Sequence, residues 1–300
     1  MQLRQALSTA VEQLTFAHVP SPRMNAELLI MFTLDCDRAY LYAHPERELT
    51  ADEAKRYNEA LDRRATGVPA QYITGHQEFW GLDLIVSPAV LIPRPETEHV
   101  VEAVLAISSD NKNQKQDQQQ RTGVSALHNL RIADVGTGSG AIALALASEF
   151  PSAQIHATDI SAEALKIARA NAALLDLTSR IEFHRIDLLA GLPTESFDFV
   201  VSNPPYVGES EEDSVQLEVR KFEPRNAVFA GPTGLEIIDR LIPQAESALK
   251  PGGWLVFEIS GTIAERVQKM LTGWTDVRLT NDLQGIPRVA IARKTVKQNP

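Results

Sequence analysis

Cysteine is nearly absent: Cys36 is the single one in 300 residues. No internal disulfide can form, and a reducing compartment fits the chain. Cys36 sits in an apolar stretch and reads as a small buried hydrophobe rather than a nucleophile. Long apolar runs are missing too. None reaches the roughly 18 residues of a membrane-spanning helix, so no span is expected. No apolar core of the signal-peptide kind follows Met1-Gln2-Leu3-Arg4-Gln5. A soluble, cytoplasmic protein is the expectation. Positive charge is short: 29 Lys and Arg stand against 39 Asp and Glu, a formal net charge of -10. Phosphate backbones favour Lys and Arg, so direct nucleic-acid binding is not expected. No metal centre is expected either.

What is present falls into three parts. Leu3, Ala6, Leu7, Ala10, Val11 and Leu14 recur at helical spacing. Further helices are expected over about 24–34 and 51–65, the last with a Thr50/Glu53 capping box and stopped by Gly67 and Pro69. This N-terminal bundle, residues 1–75, holds no catalytic constellation. Residues 76–92 read as a hairpin. In Pro93-Arg94-Pro95-Glu96-Thr97-Glu98, proline and acids suit the first turn of a helix. They equally suit the wall of a site, and the residues alone leave the two readings even. Residues 108–123 contain no apolar residue and five Gln. Such a stretch buries no face and reads as a mobile insertion. With the hairpin and the Pro-rich block it makes a connector over 76–128. From 129 to 300 strands and helices alternate, which gives an α/β fold with a mainly parallel, Rossmann-like sheet covered on both faces. Ligands of such folds bind beyond the carboxyl ends of the strands.

Two of those strand ends carry chemistry. The strand ending at Val135 runs into Gly136-Thr137-Gly138-Ser139-Gly140, whose glycines allow a tight turn and close approach of a ligand. Asp159 ends the next strand, where a carboxylate reaches ribose hydroxyls. The spacing Gly-x-Gly-x-Gly after Asp134 departs from a dinucleotide fingerprint. An acid beside the turn repels a pyrophosphate and suits a cationic amino-acid ligand, so S-adenosylmethionine is favoured over NAD. Asp187 and Leu188, after the third strand, fall where its adenine would pack. The strand Phe197–Ser202 ends in Asn203-Pro204-Pro205-Tyr206. Two prolines take the backbone out of the sheet and bring carbonyl oxygens without N–H groups. The Asn203 side-chain oxygen and the Pro204 carbonyl together accept from a planar NH2, and Tyr206 and Pro205 complete a holder for an amide or an amino-base. Asn203 closes the cofactor side as well.

With these residues assembled, the chain resembles the S-adenosylmethionine-dependent methyltransferases, and most closely the family that methylates the glutamine amide of peptide chain release factors. The carriers are the block Val90 to Glu98, Asp134 to Gly140, Asp159-Ile160-Ser161, Asn203 to Tyr206, Phe222-Glu223-Pro224-Arg225 and Asp282-Leu283-Gln284-Gly285 with Arg288. The resemblance implies a seven-stranded class I methyltransferase sheet and release of S-adenosylhomocysteine. It implies an N-terminal domain that helps hold the release factor, and the glutamine of a Gly-Gly-Gln loop as target. Ser260-Gly261-Thr262 and the 108–123 insertion depart from the family pattern. The rival is a methyltransferase of adenine amines in DNA or RNA, which presents the same kind of NH2 to the same holder. The acidic balance and the lack of a Lys/Arg cluster count against it.

Overall fold

A computed structural model describes residues 1–119 and 129–296. The chain divides into two compact units: Met1–His76 with Gln216–Phe222, and Gln77–Val215 with Glu223–Pro300.

The first unit is helical: α1 (Leu3–Phe16), α2 (Pro22–Leu34), α3 (Arg38–Ala43), α4 (Ala51–Ala65), α5 (Ala70–Thr74) and, numbered in chain order, α9 (Leu217–Phe222). Leu3, Ala6, Ala10 and Leu14 line the inner face of α1 at the spacing read from sequence. The capping box of α4 is formed: the Glu53 N–H donates to Thr50 Oγ1 at 3.2 Å and the Thr50 N–H to Glu53 Oε2 at 2.9 Å. Cys36 is half-buried against the edge of this core, not fully inside it as expected, and burial pushes its thiol pKa up. Arg64 is buried here, a feature no local pattern foretold. It donates to Asn25 Oδ1 at 2.7 Å, to the Val68 carbonyl at 3.2 Å and to Glu218 Oε1 at 2.6 Å, so α9 is tied to α4.

The second unit opens on a hairpin, β1 (His76–Phe79) and β2 (Leu82–Ile85), then α6 (Glu98–Gln119). There follow β3 (Arg131–Val135), α7 (Ala141–Glu149), β4 (Gln154–Asp159), α8 (Ala162–Leu174), β5 (Ile181–Arg185) and β6 (Phe197–Ser202). After the short β7 (Val207–Gly208), α10 (Arg225–Val228) and β8 (Phe229–Gly231) come α11 (Glu236–Ala248), β9 (Leu249–Glu258), α12 (Ala264–Met270), β10 (Thr275–Asn281) and β11 (Pro287–Arg293). Seven strands form one sheet in the order β10-β11-β9-β6-β3-β4-β5. β9, β6, β3, β4 and β5 run parallel; β11 is antiparallel to β9, and β10 to β11.

Both faces are covered, which is why the strands read as nearly continuous apolar runs. Ile132, Phe199 and Val201 pack with α6 and α7 on one face, and Ala133, Val135 and Val200 with α11 and α12 on the other. The sheet edge at β4 and β5 carries polar side chains. Arg131, which can only donate, lies 3.3 Å from His156 Nε2, so the neutral ring carries its proton on Nδ1, facing His184 Nε2 at 3.1 Å. His156 and His184, with Glu182 beside them, thus form a hydrogen-bonded chain along this edge.

The structure corrects one expectation. Residues 108–119 continue α6 instead of forming a loose insertion; residues 120–123 of that stretch lie outside the described residues. Gln and Lys are good helix formers and no Gly or Pro interrupts residues 98–119. Once the first turns are anchored by Val100, Val101, Val104 and Ile107, which are buried, each further residue adds to the helix at little cost. Among the described residues no helix is long and apolar enough to cross a membrane.

Candidate active site

The carboxyl ends of β3, β4 and β6, with the loop after β5, open on a cavity of about 560 Å³, a volume typical of small-molecule sites. The glycine turn builds one wall. The Thr137 N–H donates to the Thr158 carbonyl at 2.9 Å and the Gly140 N–H to the Thr137 carbonyl at 2.8 Å. Thr137 Oγ1 donates to Asp134 Oδ2 at 2.6 Å, and the Ala143 N–H to the same oxygen at 3.2 Å. The other oxygen of Asp134 is buried with no partner among the described residues. Burial raises the Asp134 pKa from 3.8 to about 7. Gly138 N–H donates to Asp159 Oδ2 at 3.0 Å and Ser161 N–H to its Oδ1 at 2.8 Å. Burial holds this carboxyl above its ordinary range against those donors. Asp187 lines the cavity and is paired with Arg240. Leu188, beside it, has φ +52°, a conformation that side chains other than glycine rarely adopt.

Asn203 and Pro205 border the same cavity. Asn203 Nδ2 donates to Thr97 Oγ1 at 2.9 Å. Thr97 Oγ1 donates to Glu258 Oε2 at 2.6 Å, and the Tyr206 hydroxyl to Glu258 Oε1 at 2.9 Å. Glu258 is 2% exposed. Burial pushes its pKa up, and the Tyr206 phenol is pushed up as well, by burial first and then by the Glu258 charge.

Of the residues singled out in the sequence, Gly136, Thr137, Gly138, Ser139, Asp159, Asp187, Leu188, Asn203 and Pro205 share this cavity. Gly140, Pro204 and Tyr206 do not border it. Gly140 has φ +88° and caps α7, and a Cβ there would meet Leu144 at 3.1 Å and Ala168 at 3.3 Å. Its demand is the packing of α8. The 93–98 block fulfils both readings left open for it. Pro95–Thr97 is a 3-10 turn leading into α6, and Pro93 and Thr97 line the cavity. Glu223 is buried and paired with Arg94, and it accepts from the Ile92 N–H at 3.2 Å. Sequence reading missed Asn171. Fully buried, it donates to the Ile85 and Ser139 carbonyls at 3.0 and 2.9 Å and accepts from the Ile85 N–H at 2.7 Å. It thereby ties the hairpin to the glycine turn. A lone Asn in a helix gave no signal of this.

Comparison with known proteins adds three findings. Residues 5–75 match the PrmC N-terminal domain and residues 113–221 the methyltransferase small domain. The chain is 53% identical to the release factor glutamine methyltransferase of Koribacter versatilis (strain Ellin345), over 98% of this chain and 99% of that protein. It is 43% identical to the release factor glutamine methyltransferase of Moorella thermoacetica, over 90% and 89%. Among solved structures, the catalytic domain of hMettl16 in complex with MAT2A 3′UTR hairpin 6 aligns with a TM-score of 0.53 and 17% identity, covering 88% of this chain and 94% of that one. At that identity the likeness shows the fold alone.

Proposed function

The chain belongs to the release factor glutamine methyltransferases, S-adenosylmethionine-dependent enzymes acting on protein glutamine, and from that premise we propose that its target is the side-chain amide nitrogen of the glutamine in the Gly-Gly-Gln motif of peptide chain release factors. The observation that carries the reading is the shared cavity: the glycine turn with Asp159 and the acceptor Asn203 open on one space.

The residues fit S-adenosylmethionine. Asp134, beneath the glycine turn and not itself on the cavity border, has a buried carboxylate oxygen with no partner among the described residues, which suits a ligand ammonium brought up to the turn. Gly136, Thr137, Gly138 and Ser139 leave room along the turn, and Gly140 closes it. Asp159 is the acceptor for the ribose, and Asp187 and Leu188 border the adenine. When bound, the cofactor supplies an electrophilic methyl carbon on a sulfonium and is released as S-adenosylhomocysteine. The chain's own residues do the rest. An amide nitrogen is a poor nucleophile because its lone pair is delocalised into the carbonyl. Asn203 Oδ1 and the Pro204 carbonyl accept from its NH2, fix its plane and favour the positive charge that builds on nitrogen. Pro205 narrows the space, and Tyr206, its ring set by the bond to Glu258, holds the amide plane. No strong base is required, since the proton leaves after transfer. Positioning of this kind contributes on the order of 7–11 kcal/mol to lowering a barrier. We assign residues 1–75 to docking of the release factor, 76–128 to a connector and 129–300 to the transferase domain.

The test is incubation with methyl-labelled S-adenosylmethionine and, separately, a release factor, its Gly-Gly-Gln glutamine-to-alanine variant and duplex DNA. Label on the unaltered release factor alone is expected. Label on DNA and none on the release factor would establish the adenine-amine reaction instead.

A further inference from the structure

We propose that Thr97 and Glu258 are positioning residues for the transfer: they hold the Asn203 amide in one of its two orientations, with oxygen rather than nitrogen presented to the substrate. The inference rests on the reading of Asn203 as acceptor of the substrate NH2.

Proton counting carries the argument. In its ionised form Glu258 only accepts, and it then takes the protons of two hydroxyls, Thr97 at 2.6 Å and Tyr206 at 2.9 Å. A threonine hydroxyl has one proton, and Thr97 has given it to Glu258. What Thr97 Oγ1 turns to Asn203, 2.9 Å away, is therefore a lone pair. Only the NH2 end of an amide is compatible with that. Flipping Asn203 would set two acceptors against each other and aim NH2 at the substrate NH2, two donors face to face. The side-chain oxygen, which accepts from none of the described residues, is left as the group facing the cavity that Asn203 lines. The relay also explains why the Thr97 segment and a strand end 161 residues later belong to one site.

The charges around Glu258 are those of Glu96, which raises its pKa, and Arg288, which lowers it; Arg288 is itself paired with Asp282 at 2.9 Å. The neutral form of Glu258 keeps one carbonyl acceptor and donates a single proton, to Thr97 or to Tyr206; donation to Thr97 frees that hydroxyl to turn to Asn203. Turnover should fall on the acid side as Glu258 takes up its proton.

The test compares E258Q, T97V and T97S with the wild type, using a release factor as substrate. Glutamine keeps the volume at 258 but has one acceptor oxygen for the two hydroxyls, so its NH2 must face either Thr97 or Tyr206, and valine removes the hydroxyl while keeping its shape. Expected is a kcat about 10²-fold lower in T97V, the scale of one misdirected hydrogen bond in a transition state, and a smaller loss in E258Q, which keeps one of the two acceptor bonds. KM for the release factor and the dissociation constant of S-adenosylhomocysteine should stay within about threefold, and T97S should keep kcat within about threefold. E258Q should also lose the acid limb of the pH profile. Wild-type kcat in T97V, or parallel loss of turnover and cofactor affinity, overturns the relay. Should E258Q not fold, T97V and T97S with wild-type melting curves decide it by the same kcat criterion. A wild type that labels no release factor overturns the reading of Asn203 beneath it, a result distinct from failure of the relay.

Discussion

Thr137 and the Ala143 amide both donate to one oxygen of Asp134, and the other oxygen has no partner among the described residues. The folded-state pKa is raised from 3.8 to about 7. The folded chain therefore binds more protons than the unfolded one between those values, and stability falls as pH rises through that window. At about 1.36 kcal/mol per unit the cost at pH 8 is on the order of 4 kcal/mol. Asp134→Asn keeps an acceptor for Thr137 and Ala143 and carries no charge. Urea unfolding without ligand should show the variant more stable than wild type near pH 8, with the gain gone near pH 4. Its affinity for S-adenosylmethionine should fall by roughly 10–100-fold, the scale of a hydrogen bond to a charged group. A variant with unchanged affinity would remove Asp134 from the cofactor site. Asn203→Ala has the opposite signature. Its turnover should drop about 10²–10³-fold with cofactor affinity within a few-fold, read by steady-state kinetics and calorimetry. At this scale the sequence showed the residues that sit in short motifs. Thr97 was visible only as part of a block with two readings, and Glu258 was not singled out. Their meeting depends on the pairing of β9 with β6, which no local spacing records.

Elements were legible wherever their cause is local. The helix α4 announces itself through a capping box and a stripe with Tyr57 and Leu61 buried. β6 runs between the residues expected of it, Phe197–Ser202, because two prolines follow it. Elements held by distant backbone were not legible, and β7 with β8 is the example. Val207 pairs with Phe229 and Gly208 with Gly231, just past Tyr206. The segment is kept in place by Gly234, whose φ is +81°; a Cβ there would lie 2.6 Å from the Tyr206 carbonyl oxygen and 3.0 Å from the Gly208 nitrogen. Gly234→Ala must therefore push the backbone that carries Tyr206. Strain of this kind costs about 1–3 kcal/mol. The melting temperature should fall accordingly, and kcat should fall with it, while S-adenosylhomocysteine binding changes little. Unchanged kcat would separate the β7 segment from the holding of the substrate amide.

At the scale of the molecule, the sequence shows a change from helical periodicity to strand–helix alternation, with 76–128 set apart as a connector, whereas the hairpin and α6 fall in the unit of the sheet. The return of residues 216–222 to the helical unit was not visible, since it hangs on Glu218 finding the buried Arg64. Charge is the other whole-molecule property. The net charge is -10, and three arginines on segments that border the cavity are spent on carboxylates: Arg94 on Glu223, Arg225 on Glu212 and Arg240 on Asp187. A groove for a phosphate backbone needs cations free to displace counterions, and each phosphate contact adds about 0.9 to the slope of log affinity against log salt. The adenine-amine reaction therefore makes a sharp demand. A labelled duplex or RNA hairpin titrated with this protein at about 50 mM and about 200 mM salt should give no saturable binding at either. Binding that weakens by about 10³–10⁵ between the two would mean six to ten phosphate contacts. A flat response leaves the planar amide of a protein as the NH2 that fits the acceptor role proposed for Asn203 and Pro204.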